Sequence, residues 1–295
     1  MVALPVVAPS VTTYASHTPY LTLAEWLAAP TAIDISDLIQ GGTAAQQNQA
    51  VQDAIERASS WVDRICHQVL AATTDTHSGR YLVNRWGNVK IPLPRKPILE
   101  VSAIAMGDNP SSMNLLASLV DVDIGGHGVI DVPAPGSPFG SNYGFGIGSR
   151  PLVRVTYVNG YPNTVLSASA AAAATSIVVT SALGIYPGSA LTVYDAIAGT
   201  EKVTVASSYV AGSTTLPLVG ALVYAHLAGV SVSNLPPVVK QAAILLTSAL
   251  IQTRGDDAIV LDTMDTPTKM QSAYGANADA ERLAGVLLAD LVRVR

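Results

Sequence analysis

Hydrophobic positions along the chain follow two rhythms, a helical one toward both ends and a strand-like one between them. In "AAQQNQAVQDAIERASSWVDRICHQVL" the residues Val51, Ala54, Ile55, Ala58, Val62, Ile65, Cys66 and Val69 fall on one helical face. That stripe predicts an amphipathic helix with one buried side. Thr43 and Gln46 stand before it at capping-box spacing, and Thr22 and Glu25 repeat the device ahead of "LAEWLAA", which Pro30 closes. Toward the other end, "LPPVVKQAAILLTSALIQTRG" has Pro237 near the first helical position and Gly255 just past the expected end. It is apolar nearly all round (Val238, Ala242, Leu245, Leu246, Ala249, Leu250), which predicts a central buried helix. "NADAERLAGVLLADLVRVR" predicts a last helix with Leu283, Val286, Leu287 and Leu291 as its stripe. Asp279 and Glu281 sit early in it and Arg293 and Arg295 late, as the helix dipole favours.

From about Tyr81 the pattern changes. Prolines 92, 94 and 97 in "NVKIPLPRKPILEVSAIAMGD" forbid a helix and fit strand edges and turns. "LVDVDIGGHGVIDV" predicts two short strands about Gly125-Gly126, and "PLVRVTYVNGYP" a strand with Val153, Val155 and Tyr157 on one face. Farther on, "TSIVVTSA", "ALTVYDA", "TEKVTVASSYV", "STTLPLV" and "GVSVSNL" are short Val/Thr-rich segments with Gly-containing breaks, the pattern of a small barrel or sandwich. The expected fold class is therefore α+β: a helical-bundle core with a small antiparallel sheet, plus an inserted small all-β domain. The expected divisions are an extended N-terminal arm at 1–20, the first part of the core at 21–162, the β insert at 163–235 and the rest of the core at 236–295.

Composition narrows the function classes. Apolar residues make up 49% of the 295 and charged ones only 13%, against about 25% charged in a typical soluble domain. A surface so poor in charge is expected to meet other subunits. The net charge of −5 argues against a grip on nucleic acid through its phosphates, though DNA could pass by passively. The run from Val155 to Tyr194 carries no charge, yet Ser, Thr, Gly and Pro interrupt it, so no membrane span is expected. The single cysteine, Cys66, excludes an intrachain disulfide and reads as a buried structural residue. The first twenty residues lack a basic segment and contain prolines 5, 9 and 19, which suits an extended arm better than a signal peptide.

Candidate chemistry is sparse. Histidines 17, 67, 77, 127 and 226 show no HExxH and no paired helical spacing, and there is no G-x-S-x-G elbow. His226 reads as a turn or interface residue. "GFGIGSR" (Gly144 to Arg150) lacks the lysine of a phosphate loop and precedes a strand, so it reads as a flexible loop. Asp256, Asp257, Asp262 and Asp265 miss the spacing of a calcium loop and read as solvated. Asp121 and Asp123 share the polar face of a strand, and Arg95 and Lys96 occupy an exposed proline-bounded turn that could touch a partner or DNA. No catalytic residue, metal or cofactor is expected.

The order of these elements resembles the head-to-tail connector (adaptor) proteins in the necks of long-tailed, siphovirus-type phages. The resemblance rests on the helix with Ala54, Ile55, Ala58 and Ile65, the turn Leu93-Pro94-Arg95-Lys96-Pro97-Ile98, the strand end with Tyr157, Gly160 and Tyr161, and the helix start with Pro237, Lys240, Gln241 and Ala242, closing at Arg254. It covers 21–162 and 235–254. It implies a virion structural protein rather than an enzyme: a ring, in such relatives a dodecamer, joining the capsid portal to tail-side stopper or terminator proteins and lining the DNA channel. It also implies assembly in the host cytoplasm and a C-terminal segment reaching the portal, with Leu287, Leu291, Arg293 and Arg295 as docking residues. The insert departs from that pattern and would decorate the outside of the ring. Two other readings are a stopper protein on the tail side and a hydrolase whose β insert binds carbohydrate.

Overall fold

The computed structural model of the chain describes residues 17–36, 38–120, 122–125, 128–133, 145–260 and 279–292, with side chains of 254–260 left aside. Its hydrophobic residues gather into three separate cores. The first is helical. The Thr22/Glu25 capping box starts α1 (Leu23–Ala28) and the Thr43/Gln46 box starts α2 (Ala44–Cys66). Each box satisfies backbone amides that a first helical turn leaves orphaned. Val51, Ala54, Ile55, Ala58, Val62 and Cys66 of α2 are all buried, as the periodicity predicts. His67, in the left-handed conformation, closes the helix. α3 (Pro237–Val260) packs along α2 and buries Val239, Ala242, Ala243, Leu246 and Ala249. It runs on through Gly255 to Val260, six residues beyond the end that glycine predicts.

A helix at 279–287, here α4, completes this core, but its phase differs from the expected stripe. Ala280, Ala284 and Leu288 are buried, with Leu287 and Leu291 packed beside them, whereas Leu283 and Val286 face outward. Small alanines allow α4 to lie close on its neighbours, so the closest contact falls on them instead of on the larger residues.

The second core lies between two sheets. One has the order β1-β7-β3-β4, built from Thr73–Arg80, Leu152–Asn159, Ile98–Gly107 and Asn114–Leu115; the other has the order β2-β6-β5, from Asn88–Pro92, Val129–Pro133 and Asp123–Ile124. All pairings are antiparallel. Val153, Val155 and Tyr157 of β7 meet Ile91, Ile130 and Val132 of the opposite sheet in one apolar cluster. Gly160 ends β7 at φ 91°, and a Cβ there would lie 2.5 Å from the carbonyl oxygen of Ala71, so glycine permits both the turn and the close approach.

The third core belongs to residues 163–233. The sheet β11-β10-β13-β8 (Glu201–Thr204, Ala190–Tyr194, Ser231–Ser233, Asn163–Val165) and the pair β12-β9 (Thr215–Pro217, Ser176–Val178) share one cluster that includes Leu166, Ile177, Leu191, Leu216 and Val232. Antiparallel bridges at Leu166–Val179 and Val205–Leu218 join the sheet's edges to β9 and β12. The six strands thereby close into a small barrel, and closure removes the exposed edges that an open sheet would leave. Asn234 N–H bonds the carbonyl of Pro162 at 3.0 Å, so the chain leaves and returns at one point.

Among the described residues, thirteen antiparallel strands in four sheets, with α1, α2 and α3 the main helices, make this protein mostly β. The expectation of a helical-bundle core carrying a small sheet is overturned. The middle of the chain is a two-sheet sandwich with its own core, because β1, whose sequence "TTDTHSGR" holds no aliphatic residue, pairs along the whole length of β7.

The phase of α4 is directly testable. Leu288→Ala is expected to destabilise the protein by about 2–5 kcal/mol, and Val286→Ala, at a position 70% exposed, to stay within about 0.5 kcal/mol. Urea unfolding monitored by circular dichroism measures both, and equal effects would contradict the observed packing.

Candidate functional site

Three buried clusters of polar and charged groups fasten segments of the chain to one another beside the hollows described below. The first is centred on Lys240, in the first turn of α3. Its ammonium donates to Glu25 Oε1 at 2.6 Å, to the carbonyl of Tyr20 at 3.2 Å and to Ser231 Oγ at 3.2 Å. It also lies 4.2 Å from the centre of the Tyr194 ring, a cation–π contact. Glu25 does double duty: its other oxygen accepts from the amide and hydroxyl of Thr22 in the α1 capping box. Burial pulls the Lys240 ammonium below its ordinary pKa, with Glu25 opposing that shift.

The second cluster centres on Asp63, near the end of α2. His17 Nε2 donates to Asp63 Oδ2 at 2.7 Å while Nδ1 faces the carbonyl of Thr18 at 3.0 Å. The His17 ring stacks on Tyr20 with centroids 5.0 Å apart. The Tyr20 hydroxyl donates to Asp63 Oδ1 and accepts from the amide of Leu70. Burial, reinforced by the neighbouring Asp63 carboxylate, pushes the Tyr20 hydroxyl well above the usual tyrosine range. Burial pulls His17 down, but its hydrogen bonds to Asp63 and Thr18 win and raise it. Together these bonds pin residues 17–20 to α2 and to the strand-like segment at Leu70–Ala71.

The third cluster is inside the barrel. His226 is buried, with Nδ1 2.9 Å from Asp195 Oδ2 and Nε2 2.7 Å from Glu201 Oε1. A ring donating to both carboxylates must carry both protons. Asp195 also accepts from the amides of Ile197 and Ala198, and Glu201 from those of Val223 and Tyr224. Burial raises each carboxyl's pKa, yet the bonds from His226 and these amides outweigh it and hold both below their ordinary values. With both nitrogens engaged, His226 offers no free lone pair to a metal or substrate. It clamps the 195–198 and 222–226 loops together. Among the described residues no group of three or more His, Cys, Asp or Glu side chains is arranged to hold a metal ion.

The clamped loops form one wall of a cleft of about 750 Å³. The opposite wall comes from α1, α2 and residues 18–22, so the cleft runs between the helical core and the barrel. On the other side of Tyr194, a hollow of about 530 Å³ lies beside Lys240 and α3. Size and apolar lining place the cleft in the range of ligand pockets.

The residues singled out in the sequence are dispersed. Leu287 and Leu291 pack against the helical core, and the carbonyl of Leu291 accepts from Gln68 Nε2 at 3.2 Å; Arg293 and Arg295 lie outside the described residues. So do Asp121, His127, Gly144, Asp262 and Asp265, and the side chains of Asp256 and Asp257. Asp123 is exposed on β5. His67 caps α2, and His77 meets the Tyr81 hydroxyl. Cys66 is buried, its thiol pushed up to about 12 by burial and by nearby Asp63. Arg95 differs from expectation. It is largely buried and bonds Asp75 Oδ2 at 3.0 Å, the oxygen that also accepts from Asn159, so it staples the proline turn to β1 and β7. Sequence reasoning missed the partners of Lys240, Asp63 and His226 because each cluster joins residues at least 25 positions apart for its longest-range bond.

Two predictions follow from the clusters. Lys240→Met is expected to cost about 3–5 kcal/mol because it strands the Glu25 carboxylate, and adding Glu25→Gln should recover much of that loss; equilibrium unfolding of the single and double variants measures the coupling. His226→Gln should cost a similar amount, about 3–5 kcal/mol, at pH 7. Carboxyls held low in the folded state stabilise it above their ordinary values and lose that contribution as pH falls through the lowered ones. The gap between wild type and His226→Gln is therefore expected to narrow below about pH 4, and a gap independent of pH would rule out the charged clamp.

No protein-family model, curated protein or solved structure matches this chain.

Proposed function

We propose that this protein is a self-assembling structural component, a ring-forming connector in the neck of a long-tailed phage particle. The observation that carries self-assembly is an exposed apolar edge. β4 and β5 are the short edge strands of the two sandwich sheets, and Leu115 of β4, Ile124 of β5 and Val120 between them face solvent, Val120 at 89% exposure. Unpaired edge strands beneath apolar side chains form a surface that favours pairing with another chain. A charged fraction of 13% supports the same reading, since interface cores are depleted of charge. A closed ring needs two different patches meeting head to tail.

The place in a phage neck rests on the resemblance at 21–162 and 235–254. On that reading the ring joins the portal to tail-side neck proteins, double-stranded DNA passes through it, and the surface of α4 carrying Leu283 and Val286 is available for the portal. The negative net charge suits a channel wall that DNA phosphates do not stick to.

Light scattering and negative-stain electron microscopy of the purified chain should show a closed head-to-tail ring, of about a dozen copies if the resemblance to phage connectors holds. Leu115→Asp with Val120→Asp should raise the concentration at which the ring forms at least about tenfold, as expected when one charge is buried unpaired, with the unfolding midpoint unchanged. A monomer at every concentration would overturn self-assembly. Rings that fail to co-sediment with portal protein would overturn the neck position alone.

A further inference from the structure

The cleft between the helical core and the barrel combines apolar walls with negative charge. Leu21, Ile55, Ile197 and Leu227 line it together with Glu56 and Asp195, and none of its described lining residues is Lys, Arg or His. Ile197 and Leu227 stand in water at 87% and 68% exposure. Asp195 is already satisfied by His226 and by the amides of Ile197 and Ala198. Glu56 is not: its carboxylate has no ion pair or hydrogen bond among the described residues. The occupant that complements such a cleft is a bulky apolar group with a positive charge beside it.

The chain presents that combination elsewhere on its surface. Trp86 is the largest exposed hydrophobic side chain among the described residues, at 66% exposure, and the Arg85 guanidinium lies over its ring, 4.2 Å from the centroid. Arg85 has no acidic partner among the described residues. The comparable pair, Arg64 and Trp61, is already committed to Glu281. Trp86 is not on the wall of its own chain's cleft, so a second copy is the one to be bound.

Trp86 is held on a stiff turn. Asn84 Oδ1 accepts from the amides of Trp86 and Asn88 at 2.9 and 3.0 Å, and the Asn84 carbonyl accepts from Gly87 at 3.0 Å. The bridge between buried Val83 and Val89 roots the turn in the sandwich core, so docking it costs little ordering. β2 and β5 both pair antiparallel with β6, which puts their starts at the same end of the sheet. Trp86, just ahead of β2, and Val120, just ahead of β5, belong to that end, so the turn extends the exposed apolar edge.

We propose that the Arg85–Trp86 turn of one copy seats in the cleft of the next, with the indole covering Ile197 and Leu227 and the guanidinium paired with Glu56. Turn and cleft are different surfaces of one chain, so the contact runs head to tail and supplies the two unlike patches that a closed ring needs. Trp and Arg are the residues that most often dominate such interfaces. This contact presupposes the self-assembly read from the β4–β5 edge, and not the place in a phage neck.

Charge exchange in the full chain, followed by sedimentation velocity over a concentration series, tests it. Trp86→Ala should raise the concentration at which the assembly forms at least about thirtyfold, as for an interface hot spot. Arg85→Glu and Glu56→Arg should each raise it at least about tenfold, and the two together in one chain should return it to within about threefold of wild type. All three positions are exposed, so unfolding midpoints should not move. Mixed under mild oxidation, chains with Trp86→Cys should link to chains with Leu227→Cys faster than either links to itself, native Cys66 being buried. An assembly indifferent to Trp86→Ala, single reversals that their combination does not rescue, or equal self-linking would overturn this contact and leave self-assembly standing. A monomer at every concentration would overturn both.

Discussion

The buried ammonium of Lys240 is the constraint on which the docking of the barrel against the helical core depends. A lone positive charge in an apolar interior is prohibitively costly, so it must be surrounded by acceptors. Those acceptors come from separate parts of the chain: Glu25 from α1, the Tyr20 carbonyl from the segment ahead of it, Ser231 and the Tyr194 ring from the barrel. None of these elements can shift relative to α3 without exposing or stranding the charge. The barrel is thereby fixed against the helices at one polar point, while the surrounding contacts are apolar and could slide.

The same economy recurs across the molecule. Several of its charged groups hold internal junctions: Asp63 fastens residues 17–20 to α2, Arg95 and Asp75 fasten the proline turn to the sheet, and His226 with two carboxylates fastens the barrel loops. Large apolar side chains stay exposed at the β4–β5 edge, at Leu283 and Val286 of α4 and beside the cleft at Ile197 and Leu227. Such exposed apolar patches are stable when they meet other chains or other parts of the same chain.

How far the sequence could be read depended on whether a residue's partner was close along the chain. The capping boxes at Thr22/Glu25 and Thr43/Gln46 were legible because both partners lie within one helical turn. The buried stripe of α2 and the inward face of β7 were legible because periodicity and burial coincide there. β1 was not, because "TTDTHSGR" alternates in burial without alternating in hydrophobicity; β7 dictates its conformation by pairing along its full length. α4 was read as a helix but in the wrong phase, since the size of a side chain does not say which face a neighbour can approach. Arg95 looked like surface charge, and only the fold brings Asp75 within 3.0 Å of it.

The sequence by itself determined the local grammar: where α1, α2 and α3 begin, that 163–235 would form short strands and that Cys66 would be buried. These follow from interactions spanning a few residues, which pattern and propensity record directly. Tertiary structure alone decided that the middle of the chain is a full sandwich, that the strands of the insert close into a barrel, and that Lys240, Asp63 and His226 each find their partners. Those outcomes depend on which distant segments share one solvent-excluded space, where an unpaired charge or backbone group costs far more than local preference can supply. The cleft is such an outcome, since its walls come from α1, α2 and barrel loops that meet only in the folded chain.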